Sequence, residues 1–198
     1  MKLRGLYAIT PERLGREALM DKLERALQGG IALLQYRRKP GTVEEARAVV
    51  ELAGRYGVPV IINDAWEMVA QTGAAGAHLG RDDDDLARCR AALPGRLLGA
   101  SCYDQLPLAR QAVAAGADYV AFGSMFASPT KPVAVRAPLG LFAEARALGV
   151  PLAAIGGITV DNAPQVLAAG ADLLAVISDL FDAPDIRERA RQYGKLLK

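Results

Sequence analysis

Three polar clusters, one of which contains two glycines, each follow an apolar, strand-like run, and their residue types suit a phosphorylated ligand. They are Gln35–Lys39, Ser128–Lys131 and Gly156–Thr159. Arginine and lysine supply positive charge, hydroxyl groups donate hydrogen bonds, and glycines expose backbone N–H groups to an anion. Together the three clusters predict an enzyme that handles phosphate or pyrophosphate.

In the first cluster, Gln35, Arg37 and Lys39 alternate, so an extended backbone points all three side chains to one side. This arrangement favours an anion site, whereas Arg38 is predicted to be an ordinary solvated charge. Lys131 lies in a loop rich in proline, serine and threonine, which is typical of a flap over an active site.

Carboxylates follow two neighbouring strand-like runs, with Asp64 after the third and Asp82–Asp85 after the fourth. Asp64 and one aspartate of the run can face one cavity. Carboxylate pairs with open positions suit Mg²⁺, which keeps water and phosphate oxygens as ligands. The other aspartates of the run are expected to cap the following helix.

A second phosphate site is predicted after the seventh and eighth runs, where Gly156–Gly157 and Ile177–Ser178 offer backbone N–H groups and a hydroxyl. Ser101 ends the fifth run and is either a phosphate donor or a buried hydroxyl. His78, the single histidine, is expected to be a hydrogen-bonded structural residue, and Cys102 an inert packing residue.

Apolar runs alternate with helical patterns along the whole chain, which predicts a single α/β domain, a (βα)8 TIM barrel over residues 1–198. The runs lack strict alternation, as parallel strands buried on both faces do. The predicted strands are Leu6–Ile9, Ala32–Gln35, Val58–Ile62, Gly76–Leu79, Leu97–Ala100, Tyr119–Phe122, Pro151–Ile155 and Leu173–Ile177. The segment Ala-Gly-Ala-Asp recurs at 115–118 and 169–172, before the sixth and eighth strands.

Composition excludes several function classes. A net charge of +2 gives no basic surface for nucleic acid, and no apolar run approaches the ~20 residues of a membrane span. The two cysteines, Cys89 and Cys102, have no CxxC spacing, which disfavours zinc. The N-terminal residues show no signal-peptide pattern. We therefore expect a cytoplasmic protein that binds small molecules and can form a homo-oligomer.

In order and spacing, the motifs resemble those of the thiamine phosphate synthase family. The similarity extends from Gly5–Thr10 to Val176–Ser178. It includes Gln35-x-Arg37-x-Lys39, Asn63-Asp64, His78-Leu79-Gly80 followed by Asp83, Ser128–Lys131 and Ile155–Thr159.

This resemblance implies a (βα)8 barrel that joins 4-amino-5-hydroxymethyl-2-methylpyrimidine diphosphate to hydroxyethyl-thiazole phosphate and releases pyrophosphate. It implies Mg²⁺ on Asp64 and Asp83. The residues implied for the pyrimidine diphosphate are Gln35, Arg37, Lys39, Asn63 and Lys131, with Ser101 on the leaving pyrophosphate. Those implied for the thiazole phosphate are Ser128, Thr130, Gly157, Ile177 and Ser178. Arg37, Lys39, Ser101 and Lys131 would be catalytic.

Two alternative functions stay open. A related thiazole tautomerase would need acid–base chemistry, and such relatives tend to have a histidine near Ser101–Cys102, where this chain has none. A non-catalytic barrel that binds the same phosphates is left open chiefly by Arg81, which stands where the family usually has glutamine.

Overall fold

Eight parallel strands form a closed barrel, and each strand pairs with its neighbours in chain order until β8 returns to β1. The structure is a computed structural model that describes residues 3–80, 85–127 and 135–197. The strands are β1 (Gly5–Ile9), β2 (Leu33–Tyr36), β3 (Val60–Asn63), β4 (Gly76–Leu79), β5 (Leu97–Tyr103), β6 (Tyr119–Phe122), β7 (Leu152–Ile155) and β8 (Leu173–Val176). The predicted (βα)8 barrel is therefore confirmed.

Helices connect the strands on the outside of the barrel. In the described part of the chain they are α1 (Arg16–Gly29), α2 (Val43–Gly54), α3 (Met68–Thr72), α4 (Leu86–Ala92), α5 (Leu106–Ala114), α6 (Gly140–Ala145), α7 (Ala163–Ala169), α8 (Ser178–Phe181) and α9 (Ile186–Leu196). A 3₁₀ turn at Arg146–Leu148 extends α6. No helix among these residues is long and apolar enough to cross a membrane.

Strand residues alternate between two apolar cores. In β1, Leu6 and Ala8 pack in the larger core under the helices, whereas Tyr7 and Ile9 belong to the smaller core inside the barrel. The same alternation places Tyr119 in the interior and Val120 under the helices. The period of two therefore decides which polar strand residues point into the barrel.

The repeated Ala-Gly-Ala-Asp segment has a structural role at the N-terminal end of the barrel. Asp118 accepts a 2.7 Å hydrogen bond from Leu98 N and pairs with Arg90 at 2.5 Å. Asp172 accepts from Leu152 N at 3.0 Å and pairs with an arginine, Arg146, at 2.9 Å. Each repeat thus ties the start of one strand to the preceding strand.

Candidate active site

A cleft of about 1100 Å³, as the described residues enclose it, opens at the carboxyl ends of the strands. This is where (βα)8 enzymes bind substrate, and the volume exceeds the few hundred cubic ångströms that one small ligand needs. Seven of the predicted site residues line it, namely Gln35, Arg37, Asn63, Ser101, Gly157, Ile177 and Ser178. The cleft therefore brings together the two phosphate regions that the sequence predicted.

Four predicted site residues lie outside the described residues: Asp83, Ser128, Thr130 and Lys131. Arg81, the residue on which the non-catalytic alternative depends, also lies outside them. Their roles stay predictions.

A hydrogen-bond chain crosses the barrel interior beneath the cleft. Gln35 Nε2 donates to Tyr7 Oη at 2.7 Å, and the hydroxyl groups of Tyr7 and Tyr119 are 2.8 Å apart. His78 Nδ1 lies 3.0 Å from Tyr119 Oη, and His78 Nε2 lies 2.9 Å from Ser101 Oγ. We call this the Gln35–Ser101 chain. It confirms the expectation that His78 is a hydrogen-bonded residue and links it to a group facing the cleft.

The groups of this chain are neutral at physiological pH. Burial lowers the pKa of His78 from 6.5 to about 4, and the negative charge of Asp64 offsets only part of that effect. Burial likewise raises the pKa values of Tyr7 and Tyr119 well above the ordinary value for tyrosine. The chain is therefore suited to holding hydrogen bonds in place rather than to taking up a proton.

Ser101 lies where β5 departs from regular pairing with β6. The register shifts between Ser101 and Tyr103, and bulges of this kind often re-aim a side chain beside an active site. The adjacent Cys102 points the other way and is buried, which raises the pKa of its thiol to about 12. Cys102 is thus a thiol under physiological conditions, in agreement with its expected packing role.

Charged pairs form the rim of the cleft beside β2 and β3. Arg37 donates to the carboxylate of Glu12, and Lys39 Nζ lies 2.7 Å from Asp64 Oδ2. The Lys39 side chain is 60% exposed, so solvent competes with its ion pair. Two of the three cations predicted to bind the diphosphate, Arg37 and Lys39, therefore each lie beside a carboxylate. Arg37 and Glu12 line the cleft, whereas Lys39 and Asp64 are not among its lining residues.

The prediction that Arg38 is an ordinary solvated charge is wrong. Its side chain is only 13% exposed, and its Nε lies 3.0 Å from Glu45 Oε1. Arg38 Nη1 also donates to the backbone carbonyl of Glu12 at 2.7 Å. Arg38 therefore connects the β1–α1 loop, which contains Glu12, to the start of α2. Glu12 is also the partner of Arg37, so Arg38 supports the loop to which Arg37 is bound.

Asp64 is the described carboxylate of the predicted metal site. Its φ of 60° is left-handed, a conformation that aspartate tolerates better than most residues and that clusters at functional sites. A carboxylate oxygen at the end of β3, next to the amide of Asn63, is a donor set that fits a hard cation such as Mg²⁺. The described residues contain no group of three metal-ligating side chains, and the second carboxylate that the sequence predicts, Asp83, lies outside them. Asp85 caps α4 by accepting from Ala87 N at 2.8 Å, as expected for the aspartate run.

The opposite side of the cleft is built from the ends of β7 and β8. Gly157 has a φ of 63°, and a Cβ there would lie 2.3 Å from the carbonyl oxygen of Ala127. A larger residue would thus collide with the β6–α6 loop. Ser178 begins α8, and the next residue, Asp179, is fixed by Arg189 at 2.6 Å and by Tyr193 at 2.7 Å.

Sequence reasoning missed several cleft residues, namely Tyr7, Glu12, Asp179 and Arg189, and it missed Tyr119, which lies beneath the cleft. A signal existed for the two tyrosines, because each lies in an apolar strand and a buried phenol usually finds a polar partner. Glu12 and Arg189 lie in a loop and a helix whose sequence gives no indication that they face the cleft.

Comparison with known proteins agrees with this geometry. The family model for thiamine monophosphate synthase matches residues 6–180. The thiamine-phosphate synthase of Aromatoleum aromaticum is 56% identical over 201 residues, which cover 98% of this chain and 97% of that protein. The thiamine-phosphate synthase of Methylobacillus flagellatus is 52% identical over 199 residues, covering 98% and 95%.

A solved structure, the thiamine phosphate pyrophosphorylase from Pyrococcus furiosus, superimposes with a TM-score of 0.87 at 31% identity. The match covers 99% of this chain and 96% of that one. The likeness therefore extends over the barrel and over the strand ends that form the cleft. The chain is an enzyme of the transferase class and belongs to the thiamine monophosphate synthase family.

Proposed function

We propose that this chain is a thiamine-phosphate synthase. It joins the diphosphate of 4-amino-5-hydroxymethyl-2-methylpyrimidine to hydroxyethyl-thiazole phosphate and releases pyrophosphate. The observation that supports this most is the single cleft, with Arg37 on one side and Gly157 and Ser178 on the other. One cavity with two anion-binding edges suits a reaction between two phosphorylated substrates.

The diphosphate is assigned to the rim beside β2 and β3. Arg37 and Lys39 can leave Glu12 and Asp64 to bind its oxygens, because exposed ion pairs contribute only about 0–1 kcal/mol. Ser101 donates from the cleft floor, and Lys131 is proposed to approach from the loop after β6. Asn63 and Gln35 bind the remainder of the pyrimidine diphosphate.

Mg²⁺ is proposed to bind Asp64 and Asp83, where it would neutralise charge on the diphosphate. The carboxylate of Asp64 fits that role because it already lies beside Lys39, a group proposed to bind the same diphosphate.

The thiazole phosphate is assigned to the ends of β7 and β8. Gly157 and Ile177 offer backbone N–H groups, Ser178 offers a hydroxyl, and Ser128 and Thr130 are proposed to add hydroxyl groups from the neighbouring loop. Tyr193 and Arg189 hold Asp179 and so stabilise the short helix that Ser178 begins.

The proposed reaction is a dissociative substitution. The bond between the pyrimidine CH₂ and the diphosphate oxygen breaks, and pyrophosphate leaves with the electron pair. The electron-rich aminopyrimidine ring stabilises the cation, and the lone pair of the thiazole nitrogen then forms the new C–N bond. No proton has to be removed from the nucleophile. This agrees with a cleft in which His78 is neutral and buried and Cys102 stays a thiol.

Pyrophosphate release tests this function. We expect pyrophosphate and thiamine phosphate in equal amounts when both substrates and Mg²⁺ are present, and neither product in EDTA. Isomerisation of the thiazole phosphate without the pyrimidine would instead establish the tautomerase alternative. Binding of both substrates without turnover would establish the non-catalytic one.

Cytoplasmic location and a homo-oligomeric state remain proposals, based on composition and on the general behaviour of biosynthetic enzymes. Fractionation and light scattering would test them.

A further inference from the structure

The Gln35–Ser101 chain connects two groups that face the cleft through residues lying behind them. Gln35 and Ser101 line the cleft on opposite sides of the barrel, from β2 and β5. Among the described residues Tyr119 is not part of the cleft lining, yet its hydroxyl bonds to both Tyr7 and His78. The hydrogen-bond donor and acceptor roles at one end of the chain therefore depend on those at the other end.

Each member of the chain has a limited number of protons, which forces one direction along it. A phenol has one proton to donate, and a neutral imidazole donates from one nitrogen and accepts at the other. Because Gln35 Nε2 donates to Tyr7, the Tyr7 proton goes to Tyr119 and the Tyr119 proton goes to His78 Nδ1. His78 then carries its proton on Nε2 and donates to Ser101. With the Gln35 amide nitrogen turned toward Tyr7, any other order leaves a buried donor unpaired, which costs about 1–3 kcal/mol.

This order decides what each end presents to a ligand. The Ser101 oxygen accepts from His78, so the Ser101 proton is free to be donated to an anion. At the other end one N–H of the Gln35 amide donates to Tyr7, which fixes the orientation of the amide and leaves its carbonyl oxygen as an acceptor for the ligand. In the described part of the chain that oxygen has no hydrogen-bond partner, and no buried side-chain polar atom there is unpaired. The oxygen is therefore open to the cleft.

We propose that Tyr7, Tyr119 and His78 are positioning residues that fix Gln35 as an acceptor and Ser101 as a donor, and thereby select an amino-substituted over an oxo-substituted pyrimidine. The proposal rests on the proposed function, which places a pyrimidine diphosphate between these two groups. A ring amino group donates to the Gln35 carbonyl, whereas a ring carbonyl at the same place would face it oxygen to oxygen. The Ser101 proton meanwhile binds a diphosphate oxygen.

The reverse order would have the opposite selectivity. Ser101 would donate to His78 Nε2, His78 Nδ1–H would donate to Tyr119, and Gln35 would turn its amide hydrogens toward the cleft. The position of the His78 proton therefore distinguishes the two orders.

The first test is the tautomer of His78 in the unmodified protein. His78 is the single histidine, so two-bond ¹H–¹⁵N correlation spectra of the ¹⁵N-labelled protein report it without assignment. At pH 7 we expect the neutral Nε2–H form. A neutral Nδ1–H form, or a protonated ring, would overturn the proposal, and this result needs no substrate.

The second test is ligand selectivity in Tyr119→Phe, which removes the central hydroxyl but keeps the ring. Calorimetry compares the Kd of the 4-amino pyrimidine diphosphate with that of its 4-oxo analogue. We expect the preference for the amino compound to fall roughly tenfold, because the Gln35 amide is free to turn. If the Tyr119 hydroxyl has a purely structural role, its loss should weaken the binding of both ligands equally. The ratio of the two Kd values would then stay unchanged, which would contradict the proposal.

The matched control is Tyr193→Phe, which also removes a hydrogen-bonded hydroxyl from a buried tyrosine but lies outside the chain. In this variant the ratio of the Kd values for the amino and oxo compounds should equal that of the wild type. If Tyr119→Phe does not fold, Tyr7→Phe breaks the chain one bond away and should show the same loss. Failure of the wild type to bind either diphosphate would refute the proposed function, and His78 would still decide the order of the chain.

Discussion

The barrel interior and the cleft rim hold polar groups by opposite means. In the interior, the Gln35–Ser101 chain is buried, neutral and joined by short hydrogen bonds. At the rim, Arg37 and Lys39 are paired with Glu12 and Asp64 and stay accessible to water. Interior groups therefore keep one arrangement, while rim groups can exchange a carboxylate for a diphosphate. We therefore propose that the interior mainly positions the ring, while the rim binds most of the charge.

The largest expected effect is at the rim, in Asp64→Asn. Removal of the carboxylate should lower synthase activity by at least about 100-fold, because the proposed Mg²⁺ and the Lys39 pair both depend on it. The free energy of unfolding should change by less than about 1 kcal/mol, since exposed pairs contribute little. Steady-state kinetics and urea unfolding measure the two quantities. Unfolding in place of inactivity would show that Asp64 is structural.

Because His78 is buried in the barrel interior, the free energy of unfolding should depend on pH. The pKa of His78 is lowered from 6.5 in the unfolded chain to about 4 in the fold. Its contribution is therefore complete above pH 6.5 and is lost as the pH falls toward 4, by about 3 kcal/mol. Urea unfolding of the wild type and of His78→Gln between pH 7 and 4 isolates this difference from the carboxylates that both proteins share. Equal slopes in the two proteins would contradict a neutral, buried His78.

The third prediction compares a glycine packed against Tyr119 inside the barrel with a glycine that has open space around it. A Cβ at Gly99 would lie 2.1 Å from Tyr119 Cζ, so Gly99→Ala must displace the tyrosine at the centre of the chain. We expect a loss of about 1–3 kcal/mol in the free energy of unfolding. Gly194→Ala is the matched control, because nothing lies within 4 Å of a Cβ there and alanine favours the α9 helix. Equal stability of the two variants would show that the ring has room to move.

The smallest effect is expected in Glu12→Gln, which releases Arg37 from its carboxylate without touching the interior. Pyrophosphate should bind up to about fivefold more tightly, because Arg37 no longer has to leave a partner worth at most about 1 kcal/mol. Glu188→Gln, which disrupts an exposed pair on α9, is the control and should leave the affinity unchanged. Weaker binding in Glu12→Gln would mean that Glu12 orients Arg37 for the ligand.

The fold could be predicted from the sequence because each strand is a local apolar run followed by a turn. The bounds of β4 and β6 agree with the predicted ones, whereas β5 continues to Tyr103 through an irregularity that no local pattern indicates. Arg38 was misjudged because its partner, Glu45, lies seven residues further along the chain, in α2. Thr42 caps α2 by accepting a hydrogen bond from Glu45 N, while the Glu45 carboxylate turns to Arg38.

The site could be predicted only where its residues lie at the ends of strands or just after them, as Gln35, Asn63 and Ser178 do. The hydrogen bond between Tyr7 and Tyr119 joins residues 112 positions apart. A contact between residues so far apart cannot be predicted from local sequence patterns. Their inward direction follows from the period of two, but their partners depend on how the barrel closes. The interior half of the site therefore required the structure.

The separation of the two regions is tested most directly by calorimetry with two partial ligands, inorganic pyrophosphate and the aminopyrimidine alcohol. Each is titrated into the wild type, Arg37→Ala and Tyr119→Phe. We predict that Arg37→Ala weakens pyrophosphate binding about tenfold or more and leaves the alcohol unaffected. Tyr119→Phe should weaken binding of the alcohol several-fold more than binding of pyrophosphate, because Ser101 is only one of the groups proposed to bind the diphosphate. If either variant weakens both ligands to the same extent, the rim and the interior act as one unit and the account is contradicted.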